Sequence, residues 1–150
     1  MIYLAYDHAG FELAKRINQY LKSKSLIVED IGPKAFDSGD DYPDYAIDLA
    51  KKVCQNQDNF GILLCRSGAG MAIAANKVKG ARAVVCQIPL QAKKAREHNN
   101  TNILVLAADF TDFGTMEKII NTFFNTPFSN EQRHIKRLLK ISQFEKGQHD

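Results

Sequence analysis

The sequence is poor in cysteine, has no long apolar run and carries no excess of one charge. Each scarcity closes off a class of protein. Its three cysteines, Cys54, Cys65 and Cys86, are odd in number and contain no short-spaced pair. That pattern argues against a disulfide framework and against a zinc ribbon. No apolar stretch approaches the ~20 residues of a membrane span. The first residues, Met1 to Asp7, lack a basic segment and reach an acid early, unlike a signal peptide. Lys and Arg number 20 against 17 Asp and Glu, leaving +3. That balance is too mild and too evenly spread to point to nucleic acid. Internal repeats, linkers and low-complexity stretches are also missing. A reduced, cytoplasmic, soluble protein is expected, with neither membrane nor nucleic acid as partner.

What is present fits one globular domain spanning 1–150. Hydrophobic residues make up 45% and charged residues 25% of the 150 positions. A chain of this size buries roughly two-thirds of its unfolded surface, enough for a real core.

Short apolar runs alternate with longer amphipathic segments. Strands are predicted at Ile2 to Tyr6, Leu26 to Ile31, Phe60 to Cys65, Ala81 to Cys86 and Ile103 to Ala107. Between them, helical spacing marks Phe11 to Ser23, with Leu13, Ile17 and Leu21, and a helix opened by Pro43 and carrying Ala46, Leu49, Ala50 and Val53. Further helices are predicted at Met71 to Lys77, Pro89 to His98, Phe113 to Phe124 and about 131–144. The tail at 145–150 reads as frayed.

This alternation implies an α/β fold, a three-layer α/β/α sandwich around a mostly parallel sheet of about five strands. Right-handed crossovers bring the strand C-termini to one edge, where ligands bind at the switch in strand order. The residues that follow each strand are therefore the candidates for chemistry.

Cys65-Arg66-Ser67-Gly68-Ala69-Gly70 is the most informative of these segments. A strand ends in a thiol, and a glycine-rich turn opens a helix. Such a turn aims backbone N–H groups at one point, which suits an anion or an enediolate oxygen and favours the thiolate of Cys65. A tight turn beside an inert, buried cysteine fits the same residues. Asp7-His8-Ala9-Gly10 follows the first strand: Asp7 and His8 could hold a sugar phosphate, or Asp7 could cap the next helix. His98-Asn99-Asn100-Thr101-Asn102 is more polar than a turn requires, and His98 suits acid–base work near neutral pH. Arg133 and Arg137 share one helix face, which fits either a phosphate monoester or a solvated basic surface. Asp37, Asp40, Asp41 and Asp44 miss the calcium-loop spacing and read as a solvated loop, with Tyr42-Pro43 fixing the helix entry.

Taken in order, these segments resemble ribose-5-phosphate isomerase type B, within the sugar-phosphate isomerases that include allose-6-phosphate and galactose-6-phosphate isomerases. The marks are Asp7 to Phe11, Asp41-Tyr42-Pro43, Gly61 to Cys65, Ser67 to Met71, Ile73 to Lys77, Ala81 to Val84, His98 to Asn102, and Arg133 with Arg137.

The resemblance implies a Rossmann-like fold and an obligate homodimer with shared active sites, often paired into tetramers, with no metal and no cofactor. It implies interconversion of ribose 5-phosphate and ribulose 5-phosphate through an enediol. By motif, Cys65 would move the proton, Ser67 would assist at the oxygens and His98 would open the sugar ring. The amides of Arg66, Gly68, Ala69 and Gly70 would hold the enediolate. Asp7 and Asn99 would bind sugar hydroxyls. His8, Arg133 and Arg137 would bind phosphate, with Tyr42 also lining the substrate. The family often has Gly where this chain has Arg66, and an arginine where it has Asp109. A six-carbon aldose phosphate, or a non-catalytic sugar-phosphate or nucleotide module, are the alternative readings.

Overall fold

The computed structural model describes residues 1–147. Five strands, β1 (Ile2–Tyr6), β2 (Val28–Asp30), β3 (Phe60–Cys65), β4 (Ala83–Val85) and β5 (Ile103–Ala107), form one sheet in the order β2-β1-β3-β5-β4. Every neighbouring pair is parallel. Six helices accompany them: α1 (Phe11–Ser23), α2 (Tyr42–Val53), α3 (Ala69–Ala75), α4 (Pro89–Asn99), α5 (Phe113–Asn125) and α6 (Gln132–Gly147).

The two-residue period of the strands divides the core into two layers. Leu4, Tyr6, Ile62, Leu64, Leu104 and Leu106 pack against α1, α4 and α5. Ala5, Leu63, Cys65, Ile103 and Val105 face α2 and α3. Both faces are covered, so the central strands β1, β3 and β5 are apolar throughout rather than alternating. This is the three-layer α/β/α arrangement expected from the sequence.

Boundaries differ where the strands lie at the sheet margins. β2 and β4 are each three residues long, shorter than the apolar runs suggested. Their flanking residues still add ladder bonds: Ile31 N donates to Leu4 O at 2.9 Å and Cys86 N to Val105 O at 3.0 Å. Helix α3 stops at Ala75, two residues before the expected end. There the Asn76 side chain turns to β4, donating to Ala83 O and accepting from Ala83 N, both at 2.8 Å. Helix α6 continues to Gly147 rather than ending at Phe144, so 145–147 are helical and not frayed. Positions 148–150 of that predicted tail lie outside the described residues. No helix is long and apolar enough to cross a membrane among the described residues.

β1 sends its chain one way, to β2, and β3 lies on its other side. The switch in strand order therefore falls between β1 and β3, and Asp7 and Cys65 sit at its C-terminal edge.

Candidate active site

The switch point gathers the segments after β1 and β3. Asp7 N donates to Leu64 O at 3.4 Å, which ties the end of β1 to β3. The buried Asp7 carboxylate accepts from the amides of Ala9 at 3.0 Å and Gly10 at 3.2 Å. It thus caps the short turn His8–Gly10 that precedes α1. Burial pushes its carboxyl above the usual range, opposed by the Gly10 bond and by His8.

His8 is held by a residue from a distant loop. Its Nδ1 donates to Asp40 Oδ1 at 2.6 Å, and its own amide donates to the same oxygen at 3.1 Å. A carboxylate can only accept, so Nδ1 carries the proton and Nε2 is left for another partner. The Asp40 side chain is 5% exposed. The solvated loop expected for the acidic run is corrected at this position, because Asp40 turns inward onto His8. Nothing local in the sequence signals it, since the partner lies 32 positions earlier.

Cys65 ends β3 facing α3, and the Gly68 amide donates to its Sγ at 3.2 Å. Gly68 has φ +78°, and a Cβ there would come within 2.9 Å of the Val85 side chain. The turn over the sulfur therefore requires glycine on both conformational and steric grounds. The exposed Ser67 accepts from the Ala69 amide at 3.3 Å. Tyr42, at the start of α2, lays its ring over the other end of the turn, where a Cβ on Gly70 would be 2.6 Å from Cζ.

The charge state of Cys65 departs from the expected one. Burial is the largest influence and pushes the thiol up. The Gly68 and Met71 amides pull it down, Asp7 adds an upward push, and the Ser67 amide pulls down again. The net shift is upward, because desolvation of a thiolate outweighs a few well-placed amides. The resting residue is a thiol.

Arg66 points away from the turn. Its Nη1 lies 3.7 Å from Asp109 Oδ2 in an exposed pair, and the Asp109 amide donates to Arg66 O at 3.0 Å. The two positions at which this chain departs from the pattern it resembles are thus in contact with each other. The other two cysteines fit structural roles. Cys86 is buried, with its thiol pushed up to about 12, and Cys54 is half-buried with its thiol also raised by burial.

The remaining candidates do not join this cluster. His98 and Asn99 end α4, just ahead of β5 at the N-terminal edge of the sheet. Cys65 pairs with Ala107 at the opposite end of β5. Four strand steps of about 3.3 Å, some 13 Å in all, separate the two edges. A second group forms around His98 instead. The His134 ring stacks on it with centroids 4.4 Å apart. Ser129 Oγ shares a 2.7 Å hydrogen bond with His134 Nδ1, and Ser129 N donates to Glu97 O at 3.0 Å, which ties α6 to α4. Arg133 and Arg137 lie exposed on α6 beside this stack, Arg133 Nε donating to Glu131 Oε2 at 2.7 Å. One chain therefore assembles Asp7, His8, Tyr42, Cys65 and the Arg66–Gly70 turn at one edge, and His98, Asn99, Arg133 and Arg137 at the other. His134 is buried at the centre of the second group, and no local signal in the sequence marks it.

Comparison with known proteins finds the same fold elsewhere. A family profile described as Ribose/Galactose Isomerase matches residues 2–141. A curated relative, the probable ribose-5-phosphate isomerase B of Mycoplasma genitalium, is 42% identical over 97% of this chain and 95% of its own length. A crystal structure of ribose-5-phosphate isomerase B from the same organism, with bound ribulose-5-phosphate, superposes with a TM-score of 0.93 at 42% identity, over 97% of this chain and 95% of that one. The structure of a ribose 5-phosphate isomerase from Thermotoga maritima gives a TM-score of 0.89 at 44% identity, covering 95% and 97%.

Proposed function

This chain belongs to the ribose/galactose isomerase family, and on that premise we propose that it interconverts D-ribose 5-phosphate and D-ribulose 5-phosphate. The observation that carries the reading is Cys65: a thiol at the switch point, under an amide-lined turn, with Asp7 beside it. The relative with bound ribulose-5-phosphate supports the choice of substrate.

Isomerisation of the open-chain aldose moves a proton from C2 to C1 and another between their oxygens. The Cys65 thiolate takes the C2 proton. The C–H electron pair forms the C1–C2 double bond, and the carbonyl pair moves onto O1. Amides of the Arg66–Gly70 turn and the Ser67 hydroxyl stabilise that oxygen. Cys65 then returns the proton to C1, Ser67 assists the transfer between oxygens, and the C2 carbonyl forms. The raised thiol pKa makes ionisation of Cys65 part of the barrier.

The sugar must first open. His98 suits that role, and the length of β5 between it and Cys65 supports a homodimer. In that homodimer His98, Asn99, Arg133 and Arg137 of one copy complete the site of the other. Ile141 and Phe144 on α6, the latter 68% exposed, lie one turn apart and offer an apolar patch for this contact. Asp7 holds sugar hydroxyls, and His8 with the two arginines holds the phosphate.

The test is direct. Purified protein assayed with EDTA present should convert ribose 5-phosphate to ribulose 5-phosphate and leave allose 6-phosphate nearly untouched. Loss of a proton-transfer base costs roughly 10²–10⁴-fold or more, so Cys65→Ala should be almost inactive while folded. Near-normal turnover by a folded Cys65→Ala protein would overturn the reading.

A further inference from the structure

At the N-terminal edge of the sheet, away from Cys65, lies a half-enclosed cavity of about 390 Å³. Two guanidinium groups line it. Arg96 is 9% exposed, its plane set against the rings of Phe60 and Phe123 at 4.9 and 5.5 Å. Its Nε donates to Thr126 O at 3.3 Å, and its Nη1 to Asn100 Oδ1 at 3.0 Å and Thr101 O at 2.7 Å. Arg82 donates from Nε to Asn100 O at 2.9 Å and from Nη1 to Gly80 O at 3.1 Å.

Each arginine has spent Nε and Nη1 on the fold. Among the described residues, neither Nη2 has a hydrogen-bond acceptor, and neither guanidinium is within 4.0 Å of a carboxylate. Buried charges are ordinarily paired, because an unpaired one forfeits its hydration without return. Here burial lowers the pKa of both arginines, and Arg82 lowers that of Arg96 further. The two charges repel each other across the cavity. Among the lining residues they face one carboxylate, Asp58. Glu145, whose Oε1 accepts from the Gly80 amide at 3.2 Å, acts on Arg82 from beside the lining without coming within ion-pair distance of it. Asn56 and Gln57 stand exposed at the mouth, and Asn100 and Asn102 lie deeper.

We propose that this cavity is a second anion-binding site, which takes a phosphate group between Arg82 and Arg96. The guanidinium forks supply directed donors that suit a tetrahedral oxyanion, and the asparagine and glutamine side chains complete a polar wall. The bonds that fix the arginines also fix the backbone of Asn100 and Thr101. The site is therefore preformed, and the anion meets no ordering cost there.

The measurement is a titration of the intact protein with inorganic phosphate, and separately with glycerol 3-phosphate, followed by NMR of the arginine Nε–H signals. Saturable shifts at Arg82 and Arg96 are expected. They should persist in Arg137→Ala, which weakens phosphate binding at the isomerase site. Response to both probes identifies the free anion as ligand, and response to glycerol 3-phosphate alone identifies an ester. Replacing either cavity arginine endangers the fold, so the variant is Asn56→Asp, which keeps the acceptor for Asp58 N at 2.9 Å. The added charge should weaken binding on the order of tenfold and leave the Michaelis constant for ribose 5-phosphate unchanged. Absence of Arg82 and Arg96 shifts with both probes, or shifts that vanish in Arg137→Ala, would overturn the proposal. Unaltered affinity in Asn56→Asp would do the same. None of these outcomes depends on isomerase turnover.

Discussion

The imidazoles of His98 and His134 lie face to face, centroids 4.4 Å apart and planes tilted by 31°. His134 is 2% exposed, while His98 is half-exposed at the end of α4. The inner ring thus sets the orientation of the outer one, and α6 carries the residue that aims the proposed ring-opening acid.

This stack makes stability depend on pH. Burial lowers the His134 pKa, and His98 and Arg133 lower it further. The unfolded chain therefore binds a proton more readily than the folded one. Stability is fully present above the unfolded value of about 6.5 and falls as pH drops through it, levelling off below the folded value. Melting temperature should decline between about pH 7 and pH 5.5, and His134→Asn should flatten that slope. An equal slope in the variant would place the titrating group elsewhere.

Shared sites predict complementation. Cys65→Ala and His98→Asn proteins should each be nearly inactive alone. Mixed and allowed to exchange subunits, they form hybrids with one intact site of two. Roughly a quarter of wild-type activity should return if half the dimers are hybrid. Recovery of none, with exchange verified by mass spectrometry, would mean that one chain supplies the whole site.

If the Cys65 thiolate is the proton-transfer base, its raised pKa puts an acidic limb on the rate, and kcat/KM should still be climbing with pH above neutrality. Alkylation of Cys65 by iodoacetamide should follow the same limb and be slowed by substrate. A kcat/KM already flat at neutral pH would show that the Cys65 thiol of the free enzyme is not raised, or that it is not the base.

Asp40 holds His8 by two bonds to one oxygen. Asp40→Ala releases the imidazole, and a charge-assisted bond of this kind is worth about 1.5–3 kcal/mol. The Michaelis constant should rise roughly tenfold with little change in kcat, the mark of a lost binding contact. Equal falls in kcat and kcat/KM would move His8 from binding into chemistry.

The central elements were legible because their signals are local. β1, β3, β5 and α1 begin and end where the apolar runs and helical spacing predict. β2 and β4 came out shorter because a marginal strand has one neighbour, so pairing and not apolar character sets its length. Asp40 was missed since its meaning depends on His8, far away in sequence. The ionisation of Cys65 was misjudged because sequence reveals the amides of the turn but not the burial that opposes them. His134 lies next to Arg133 in sequence, yet only the packing of α6 on α4 gives it a role.

Asn76 closes a margin that would otherwise be open. β4 is the last strand of the sheet, and the Asn76 amide occupies both outward backbone groups of Ala83. No further strand can be added in register there. At the other margin β2 is only three residues long and carries Glu29 and Asp30. Growth of the sheet from chain to chain is blocked at one side and discouraged by charge at the other. Self-association is thereby left to helix surfaces, where α6 can give a closed pair instead of an open-ended stack.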